Sequence, residues 1–428
     1  MSPDDGIVFI RNARLFDPAQ GLDVEGSVLV KDGKITGVGP GVVPVGDMKT
    51  IEAEGKYLFP AFCDPHVHFR TPGQTEKEDT NSGSMAALAG GFTTVIQMPN
   101  TTPVLDKPDL IREATADEPI ELKVLGAVTY GSESRELTDF ASLIDAGAVG
   151  LTDDGQGIAV PVFMKAALQF SAERGVPIAC HAEEPEYGVR GAVRPGLIAD
   201  SLGVPGWNPA RESSMVERDI GLALETGGHV HFCHVSVDYS VEFIHQAKQD
   251  GLMVTSEVTP HHLTLTVNDV PTLGADAKMN PPLGTEKDRE LLIEALADGT
   301  IDCIATDHAP HTPEEKSRGL ERSPFGVIGL ETSFSVVYTD LVRTGRIGLD
   351  RLVEAMTRVP RKIYNLEEVG LFKGSRADLV MVDLGKTWTV DPDKFESKAR
   401  NCPFAKRELT GKIMWTMYRG NILWENGD

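Results

Sequence analysis

Residues 58–70 read LFPAFCDPHVHFR, a short apolar run that ends in two histidines spaced two residues apart. Seven further apolar or β-branched runs follow before residue 310, and segments with helical spacing separate them. Eight strands alternating with helices over about 250 residues are typical of a (β/α)8 TIM barrel, an α/β fold. We predict the strands at residues 58–63, 93–98, 121–128, 148–152, 176–180, 230–234, 253–258 and 301–306.

An open, doubly wound sheet is the alternative fold for this alternation. No glycine-rich phosphate-binding motif follows the first predicted strand, which favours the barrel. The two chain ends differ from the middle, because their apolar runs alternate around turns such as Lys31–Lys34. Since neither end alone has enough strands for a stable sheet, we expect residues 1–57 and 370–428 to form one small β-sandwich. The barrel, residues 58–369, would be inserted within it.

The composition excludes several classes of protein. The 428 residues include 64 acidic and 41 basic side chains, a formal net charge of -23, which repels nucleic acids and anionic membrane surfaces. No apolar run approaches the roughly 18 residues of a membrane span, and the acidic N-terminus does not resemble a secretory signal. The five cysteines are scattered, so we expect reduced, mostly buried thiols. These features favour a cytoplasmic protein.

Five side chains at predicted strand ends have the chemistry of metal ligands. His66 and His68 are two residues apart, so both lie on one face of the first strand with their nitrogens converging. His181 ends the fifth predicted strand, His234 the sixth and Asp307 the eighth. In a parallel barrel all carboxyl ends of the strands open on the same face, where active sites lie. The five side chains are therefore expected to converge.

A sixth ligand is expected after the fourth strand, where Asp153 or Asp154 could bridge two cations. Either aspartate could instead cap a helix N-terminus, and that structural role is favoured for Asp153. His261 and His262, just beyond the seventh strand, are further candidates for the site. Four histidines and two carboxylates without sulfur suit zinc, with manganese or cobalt as substitutes in vitro.

Alternation along the strands sorts the remaining histidines and cysteines. His229 and His231 are opposite in parity to His234, so we expect them to point toward the helical shell and assign them no function. Cys180 and Cys233 each precede a predicted ligand by one residue, and the same argument excludes them from the site.

The predicted site indicates a hydrolase. A metal ion lowers the pKa of its bound water from 15.7 to about 7, while a second cation polarises a substrate carbonyl. Asp307, at the end of the last strand, is then the expected proton carrier. It would take a proton from the attacking water and pass it to the leaving nitrogen.

Longer stretches around these residues resemble one family. The histidine and aspartate positions follow the amidohydrolase superfamily over residues 60–310, and the longer stretches are similar to the class I dihydroorotases of bacterial type. This resemblance implies a zinc-dependent, reversible hydrolysis of L-dihydroorotate to N-carbamoyl-L-aspartate in pyrimidine biosynthesis. The stretches are HVHFR at residues 66–70, MPNT at 98–101, EVTPHH at 257–262, MNPPL at 279–283 and ATDHAPH at 305–311.

The resemblance also implies a role for each matching residue. Asp307 would be the catalytic acid and base as well as a metal ligand, and Asp154 would bridge two zinc ions. Related hydantoinases commonly use a carboxylated lysine as the bridge, and an aspartate resembles the bacterial class I branch. The other implied ligands are His66 and His68 for one ion and His181 and His234 for the second.

A small anionic substrate would be held by a further set of residues. The Arg70 guanidinium would supply the local attraction that a chain of this net charge lacks, with a surface salt bridge as its alternative role. Residues 308–325 have no clear periodicity and are expected to form an active-site loop. Thr71 stands where the family often has a glutamate. The resemblance implies that Arg70, Asn100 and His311 hold the substrate carboxylate, and that His68, Asn280 and the Phe325 and Gly326 backbone complete the subsite.

Two other functions compete with this hypothesis. A hydantoinase or allantoinase would hydrolyse another cyclic amide, and it would need neither Arg70 nor Asn100 to meet a carboxylate. A non-catalytic subunit that supports aspartate transcarbamoylase would lose its metal ligands, whereas this chain keeps all of them. Buried histidines and aspartates without metal would cost stability. A homodimer and a complex with aspartate transcarbamoylase are the assemblies to test.

Overall fold

The computed structural model describes residues 6–44, 46, 48–116 and 119–427. In chain order the strands are β1 (Ile7–Asp17), β2 (Leu22–Lys31), β3 (Lys34–Gly39), β4 (Lys49–Glu52), β5 (Tyr57–Pro60), β6 (Phe62–Val67), β7 (Phe92–Gln97), β8 (Glu121–Val124), β9 (Gly126–Ala127), β10 (Leu151–Thr152), β11 (Ile178–Cys180), β12 (Val230–Phe232), β13 (Val254–Val258), β14 (Cys303–Ile304), β15 (Leu379–Thr389), β16 (Glu408–Tyr418) and β17 (Asn421–Glu425).

The α-helices lie mainly between the strands of the middle of the chain. They are α1 (Thr80–Ala89), α2 (Pro108–Ala114), α3 (Phe140–Asp145), α4 (Pro161–Arg174), α5 (Leu197–Leu202), α6 (Ala210–Thr226), α7 (Asp238–Gln249), α8 (Pro260–Thr264), α9 (Val270–Leu273), α10 (Glu286–Asp298), α11 (Pro313–Lys316), α12 (Gly319–Arg322), α13 (Ser333–Val337), α14 (Leu349–Met356) and α15 (Arg358–Ile363). Among the described residues, none of these helices is long and apolar enough to cross a membrane.

Strands from both chain ends form one eight-stranded sheet in the order β17-β16-β15-β5-β1-β2-β3, with β4 paired to β1. β5 joins the two ends, because it pairs in parallel with β1 and antiparallel with β15. Apolar side chains from both ends share one core beneath this sheet, including Leu15, Val28, Leu379 and Trp415. The predicted domain built from both chain ends is confirmed as a sheet domain, and its described strands belong to one connected sheet where a small β-sandwich was predicted.

The middle of the chain forms the predicted parallel barrel. β6 to β8 pair with one another, and β9 to β14 form a second run of parallel neighbours. β8 and β9 are halves of one strand interrupted at Leu125, whose N–H donates to the Gln97 carbonyl at 3.0 Å. The His68 N–H donates to the His308 carbonyl at 2.9 Å and so connects the first strand to the last. This contact closes the barrel.

Several strand predictions differ from the structure, and the strand predicted at residues 148–152, for example, is reduced to β10. Two of the differences have a visible cause. The predicted strand at residues 58–63 is two strands, because the chain leaves the terminal sheet after β5 and enters the barrel at β6. The Ala61 N–H marks the crossing, since it donates to the Asp378 carbonyl beside β15 at 3.0 Å. The predicted strand at residues 301–306 is reduced to β14, because the Thr306 N–H is donated to the Asp64 carboxylate at 3.1 Å. All five cysteines are buried and unpaired, as expected.

Candidate metal centre and active site

The predicted metal ligands converge at the carboxyl ends of the barrel strands. Asp154 Oδ1 lies 3.5 Å from His66 Nε2 and 3.7 Å from His181 Nδ1. The same oxygen lies 3.9 Å from His234 Nε2, and Asp154 Oδ2 lies 3.7 Å from His68 Nε2. One carboxylate is therefore shared by a pair of histidines from the first strand end and a pair from the fifth and sixth. Each pair and Asp154 offer ligand atoms within 4.8 Å of one another.

Asp307 completes the cluster from the last strand end. Its Oδ1 lies 3.0 Å from His68 Nε2 and 3.5 Å from His66 Nε2. Asp307 and His234 have φ angles of 48° and 34°, in the left-handed region that non-glycine residues seldom adopt. Such backbone strain is typical of functional sites, where the surrounding structure must hold it. At these positions the His234 side chain lies near Asp154, and the Asp307 side chain lies near His66 and His68.

Within the described part of the chain, two ligand atoms of the centre have no hydrogen-bond partner. His66 Nε2 and Asp154 Oδ1 are both buried and unpaired, which costs free energy unless another group binds them. His181 Nδ1 and His234 Nε2 lie only 3.0 Å apart, as two ligands of one ion can. Burial and the charge of His181 lower the pKa of His234 to about 3, so its imidazole is neutral, as a metal ligand must be. The residues fit divalent cations with nitrogen and oxygen ligands.

Three of the four histidines have an oxygen acceptor at the ring nitrogen that faces away from the centre. Such an acceptor keeps the N–H on that nitrogen and leaves the lone pair of the other nitrogen to a metal ion. The pairs are His66 Nδ1 with Glu257 Oε1 at 2.8 Å, His68 Nδ1 with Asn100 Oδ1 at 2.9 Å, and His181 Nε2 with Glu183 Oε2 at 3.3 Å.

We expect acid to weaken metal binding. Burial opposes a charge on His66, but Asp154 and Glu257 outweigh it and raise the pKa of this imidazole well above its usual value. A metal ion must therefore displace a proton, so affinity should fall as pH falls, by up to about tenfold per pH unit for each proton displaced. Competition with a chromophoric chelator at about pH 8 and about pH 6 measures the effect. An affinity independent of pH would contradict it.

The neighbouring aspartates have separate roles. Asp153 is not the helix cap that the sequence suggested: its Oδ1 accepts from the backbone N–H groups of Val128 and Thr129 at 2.9 and 3.0 Å. It holds the loop after β9, and only Asp154 of the two faces the histidines.

Alanine variants of the two aspartates should therefore differ. Asp153→Ala strands two buried N–H donors, and we expect the free energy of unfolding to fall by about 1–3 kcal/mol with metal content retained. Asp154→Ala removes the shared carboxylate, and we expect metal to be lost. Urea unfolding and metal analysis of both purified variants check this. Equal metal loss in the two variants would contradict the assignment of Asp154.

A cavity of about 120 Å³ opens beside the centre. The guanidinium of Arg70 faces it, and burial lowers the pKa of this group to about 10, so it stays charged at neutral pH. Among the described residues Arg70 has no salt-bridge partner, and its Nε donates to the Pro310 carbonyl at 3.3 Å. The alternative surface salt bridge is thus not formed. The predicted residues that line the cavity are His68, Arg70, Asn100, Asp154, His181, His234, Asn280, Asp307, Phe325 and Gly326.

Three residues predicted to contact the substrate already form hydrogen bonds within the protein. His311 lies behind Arg70, with Nε2 3.4 Å from Arg70 Nη2, and donates from Nε2 to the Phe325 carbonyl at 2.8 Å. The Gly326 N–H donates to the Lys278 carbonyl at 2.9 Å. Asn280 is only half engaged: its Nδ2 donates to the Glu183 carboxylate at 2.9 Å, but its buried Oδ1 has no partner among the described residues. That free oxygen is available to a substrate N–H.

The directions predicted for His231 and Cys233 from strand alternation are wrong. β12 ends at Phe232, and His234 has a positive φ, so alternation does not continue to the ligand. His231 and Cys233 consequently point into the barrel and not toward the helices: His231 Nε2 lies 3.1 Å from Glu257 Oε2, and the Cys233 sulfur belongs to a buried cluster with His66.

His261 and His262 are buried beside the site but do not line the cavity. His262 is a structural residue, since its Nδ1 bonds the Thr259 hydroxyl at 2.8 Å and its Nε2 donates to the Pro281 carbonyl at 3.0 Å. His261 has an unpaired, buried Nε2. The structure does not bring either ring into the ligand cluster.

Three charged residues of the site, Glu257, Glu183 and Arg190, were not predicted from the sequence. Glu257 lies inside a strand with no exposed surface, and a carboxylate in such a buried run is a signal that could have been used. Glu183 follows a ligand by two residues. Arg190 lines the cavity from the loop after β11, and its Nη2 lies 2.5 Å from Glu183 Oε2. No pattern in that loop marks this arginine.

Comparison with known proteins identifies the family. The model of the amidohydrolase family matches residues 57–423. The chain is 44% identical to a dihydroorotase of Halalkalibacterium halodurans over 402 residues, which are 93% of this chain and 94% of the relative. It is 40% identical to a dihydroorotase of Anoxybacillus flavithermus, over 95% of this chain and 96% of the relative. This chain belongs to the dihydroorotases of the amidohydrolase family.

Solved structures of other proteins have the same fold as this family member. An L-hydantoinase from Arthrobacter aurescens superposes with a TM-score of 0.86 at 29% identity, over 98% of this chain and 96% of that one. A dihydropyrimidinase from Brevibacillus agri superposes with a TM-score of 0.84 at 21% identity, over 98% and 95%. The barrel with its terminal sheet is therefore the architecture of this dihydroorotase-family chain, as predicted.

Proposed function

We propose that this protein is a dihydroorotase, which hydrolyses the cyclic amide of L-dihydroorotate to N-carbamoyl-L-aspartate and catalyses the reverse closure. One observation carries the proposal: a buried His and Asp centre with unpaired ligand atoms shares its cavity with Arg70, a half-buried cation that has no carboxylate partner among the described residues. The centre suits amide hydrolysis, and the cation suits an anionic substrate. The names of the relatives at 40–44% identity support the same activity.

We propose that the centre would hold two zinc ions when loaded: His66 and His68 would bind one, His181 and His234 the other, and Asp154 would serve both. The all-nitrogen and oxygen donor set and the two unpaired atoms support this assignment. When bound, the ions would lower the pKa of water and polarise the carbonyl of the ring amide.

Asp307 is proposed to move the proton. Burial opposes its charge, but the hydrogen bond with His68 and the charge of the histidines lower the pKa of the carboxyl below its usual range. It is therefore ionised at neutral pH, as a base that takes a proton from water must be. It also lines the cavity, so the same carboxyl can then donate that proton to the leaving ring nitrogen.

The substrate is proposed to lie with its carboxylate on Arg70. Asn100 adjoins that position, but its amide also organises the centre, since Nδ2 donates to Asp154 Oδ2 at 3.0 Å and Oδ1 accepts from His68. The free Oδ1 of Asn280 would accept a ring N–H. These contacts orient the amide over the centre before reaction.

Ring opening of L-dihydroorotate by the purified protein, followed by ultraviolet absorbance, tests the function. Hydantoin is assayed in parallel, because structural neighbours include proteins named hydantoinases. Activity on dihydroorotate that is lost on chelation and returns with zinc is the expected result. Turnover of hydantoin without turnover of dihydroorotate would overturn the proposal. A homodimer, a complex with aspartate transcarbamoylase and a cytoplasmic location stay predictions.

A further inference from the structure

A chain of buried polar side chains runs along the inside of the barrel away from the metal centre. We call Glu257, His231, Thr255 and His229 the interior relay. Glu257 Oε1 lies 2.8 Å from His66 Nδ1, and Glu257 Oε2 lies 3.1 Å from His231 Nε2. Thr255 Oγ1 lies 2.9 Å from His231 Nδ1 and 2.7 Å from His229 Nε2. Glu257, which binds His66 Nδ1, is therefore itself held by a hydrogen bond with His231.

The hydrogen bonds of the interior relay have one consistent direction. A carboxylate only accepts, so Glu257 takes the N–H of His66 Nδ1 and the N–H of His231 Nε2. His231 Nδ1 is then a bare acceptor and takes the hydroxyl proton of Thr255. The hydroxyl oxygen in turn accepts the N–H of His229 Nε2. The tautomers of the three histidines are therefore coupled through Thr255 and Glu257.

Because the interior relay is largely buried, the loss of any of its hydrogen bonds costs stability. His231 and Glu257 have no exposed surface, and a buried carboxylate that loses a partner loses stability because water cannot replace it. Glu257 Oε1 also accepts the backbone N–H of His234 at 3.3 Å. One carboxylate therefore contacts residues of both predicted metal pairs, and its orientation matters to each.

The far end of the interior relay reaches a second cavity. His229 and Thr255 are half-buried and line a space of about 630 Å³ at the amino ends of the barrel strands. The amino-end face of such a barrel is normally linked to stability and the carboxyl-end face to catalysis. The interior relay connects the two faces by continuous hydrogen bonds.

We propose that His231 is a positioning residue for the metal centre. By donating from Nε2, it holds Glu257 in the orientation that keeps the N–H of His66 on Nδ1. The Nε2 lone pair of His66 is then directed at the metal. Thr255 acts through His231, because its hydroxyl selects the tautomer with the N–H on Nε2. The inference rests on the proposed function in so far as His66 is a ligand.

Variants of His231 that differ in where they place a donor test the proposal. Glutamine carries its amide near the position of Nε2 and can still donate to Glu257, whereas asparagine carries it near the position of Nδ1 and cannot. We expect His231→Asn to weaken zinc binding about tenfold or more, the usual effect of losing such a partner. His231→Gln should stay within about threefold of the parent.

Thr255→Val keeps the shape of the threonine and removes only its hydroxyl. We expect it to weaken zinc binding several-fold, while Thr255→Ser leaves the affinity unchanged. His245→Phe is the matched control, because His245 also bonds a threonine hydroxyl, that of Thr300 at 2.9 Å, but lies on the outer helix α7. We expect it to bind zinc as the parent does.

Zinc affinity is measured by competition with a chromophoric chelator, without substrate, on variants whose circular dichroism matches the parent. Equal affinity of folded His231→Asn and His231→Gln would overturn the proposal. Should His231→Asn fail to fold, parental zinc affinity in Thr255→Val would overturn it. The readout is independent of turnover, so a parent that binds zinc but does not open dihydroorotate would refute the proposed function alone.

Discussion

Asp307→Asn is expected to lower kcat for ring opening of dihydroorotate by about 100- to 10,000-fold, the usual contribution of a general acid and base. Asparagine preserves the shape of the side chain and an oxygen for the centre, but it cannot take the proton from water. We therefore expect zinc content to stay near that of the parent. Steady-state kinetics and metal analysis on the same preparation measure both quantities.

Asp302→Asn is the matched control for this variant. Asp302 precedes the same strand, β14, at the opposite end of the barrel, where it pairs with Lys248 at 2.5 Å and accepts the Ser256 N–H at 2.8 Å. We expect its kcat to be parental. A folded, zinc-loaded Asp307→Asn enzyme with near-parental kcat would show that the carboxylate does not carry the proton.

Arg70→Gln is expected to lower kcat/KM for dihydroorotate by about 30-fold or more, mainly through KM, because a buried charge-assisted bond to the substrate is worth at least about 2 kcal/mol. Arg70→Lys should fall between the variant and the parent, since an ammonium retains the charge but loses the planar fork. Initial rates over a range of substrate concentrations give the two constants separately.

Dihydrouracil, which has the same ring without the carboxylate, is the control substrate for the Arg70 variants. Its hydrolysis does not use the anion contact, so any activity of the parent on it should survive Arg70→Gln. An unchanged KM for dihydroorotate in a folded Arg70→Gln enzyme would place the carboxylate elsewhere in the cavity. Arg190, which also lines that cavity, would then be the residue to vary.

The barrel and the convergence of the predicted ligand side chains could be predicted because both depend on local patterns. A strand end is visible in the sequence, and the parallel fold brings strand ends to one face. This is why His66, His181 and Asp307, distant in sequence, lie where they were expected. Asp154 could not be separated from Asp153 by pattern alone, because the choice depends on which carboxylate the Val128 N–H binds.

Other features depend on geometry that no local pattern encodes. Alternation counted from His234 predicted that His231 faces the helices. Strand β12 ends before His234 and the backbone turns there, so the alternation of the strand does not extend to His234 and the prediction was wrong. Glu257 accepts a hydrogen bond from His66, and the two residues meet only when separate strands of the barrel enclose a common interior. The split between β5 and β6 likewise needs the C-terminal strand β15, which lies more than 300 residues later in the chain.

Closure of the barrel between its first and last strands also sets when the centre can exist during synthesis. His68 and Asp307 are 239 residues apart in the sequence, yet they meet at 3.0 Å beside the contact that joins His68 to His308. A nascent chain that has not released its last barrel strand from the ribosome has Asp154 and the histidines but lacks Asp307 and the contact that closes the barrel. Under the proposed function, stable metal capture would therefore report that the barrel has closed, and chains truncated before Asp307 should not hold the metal stably.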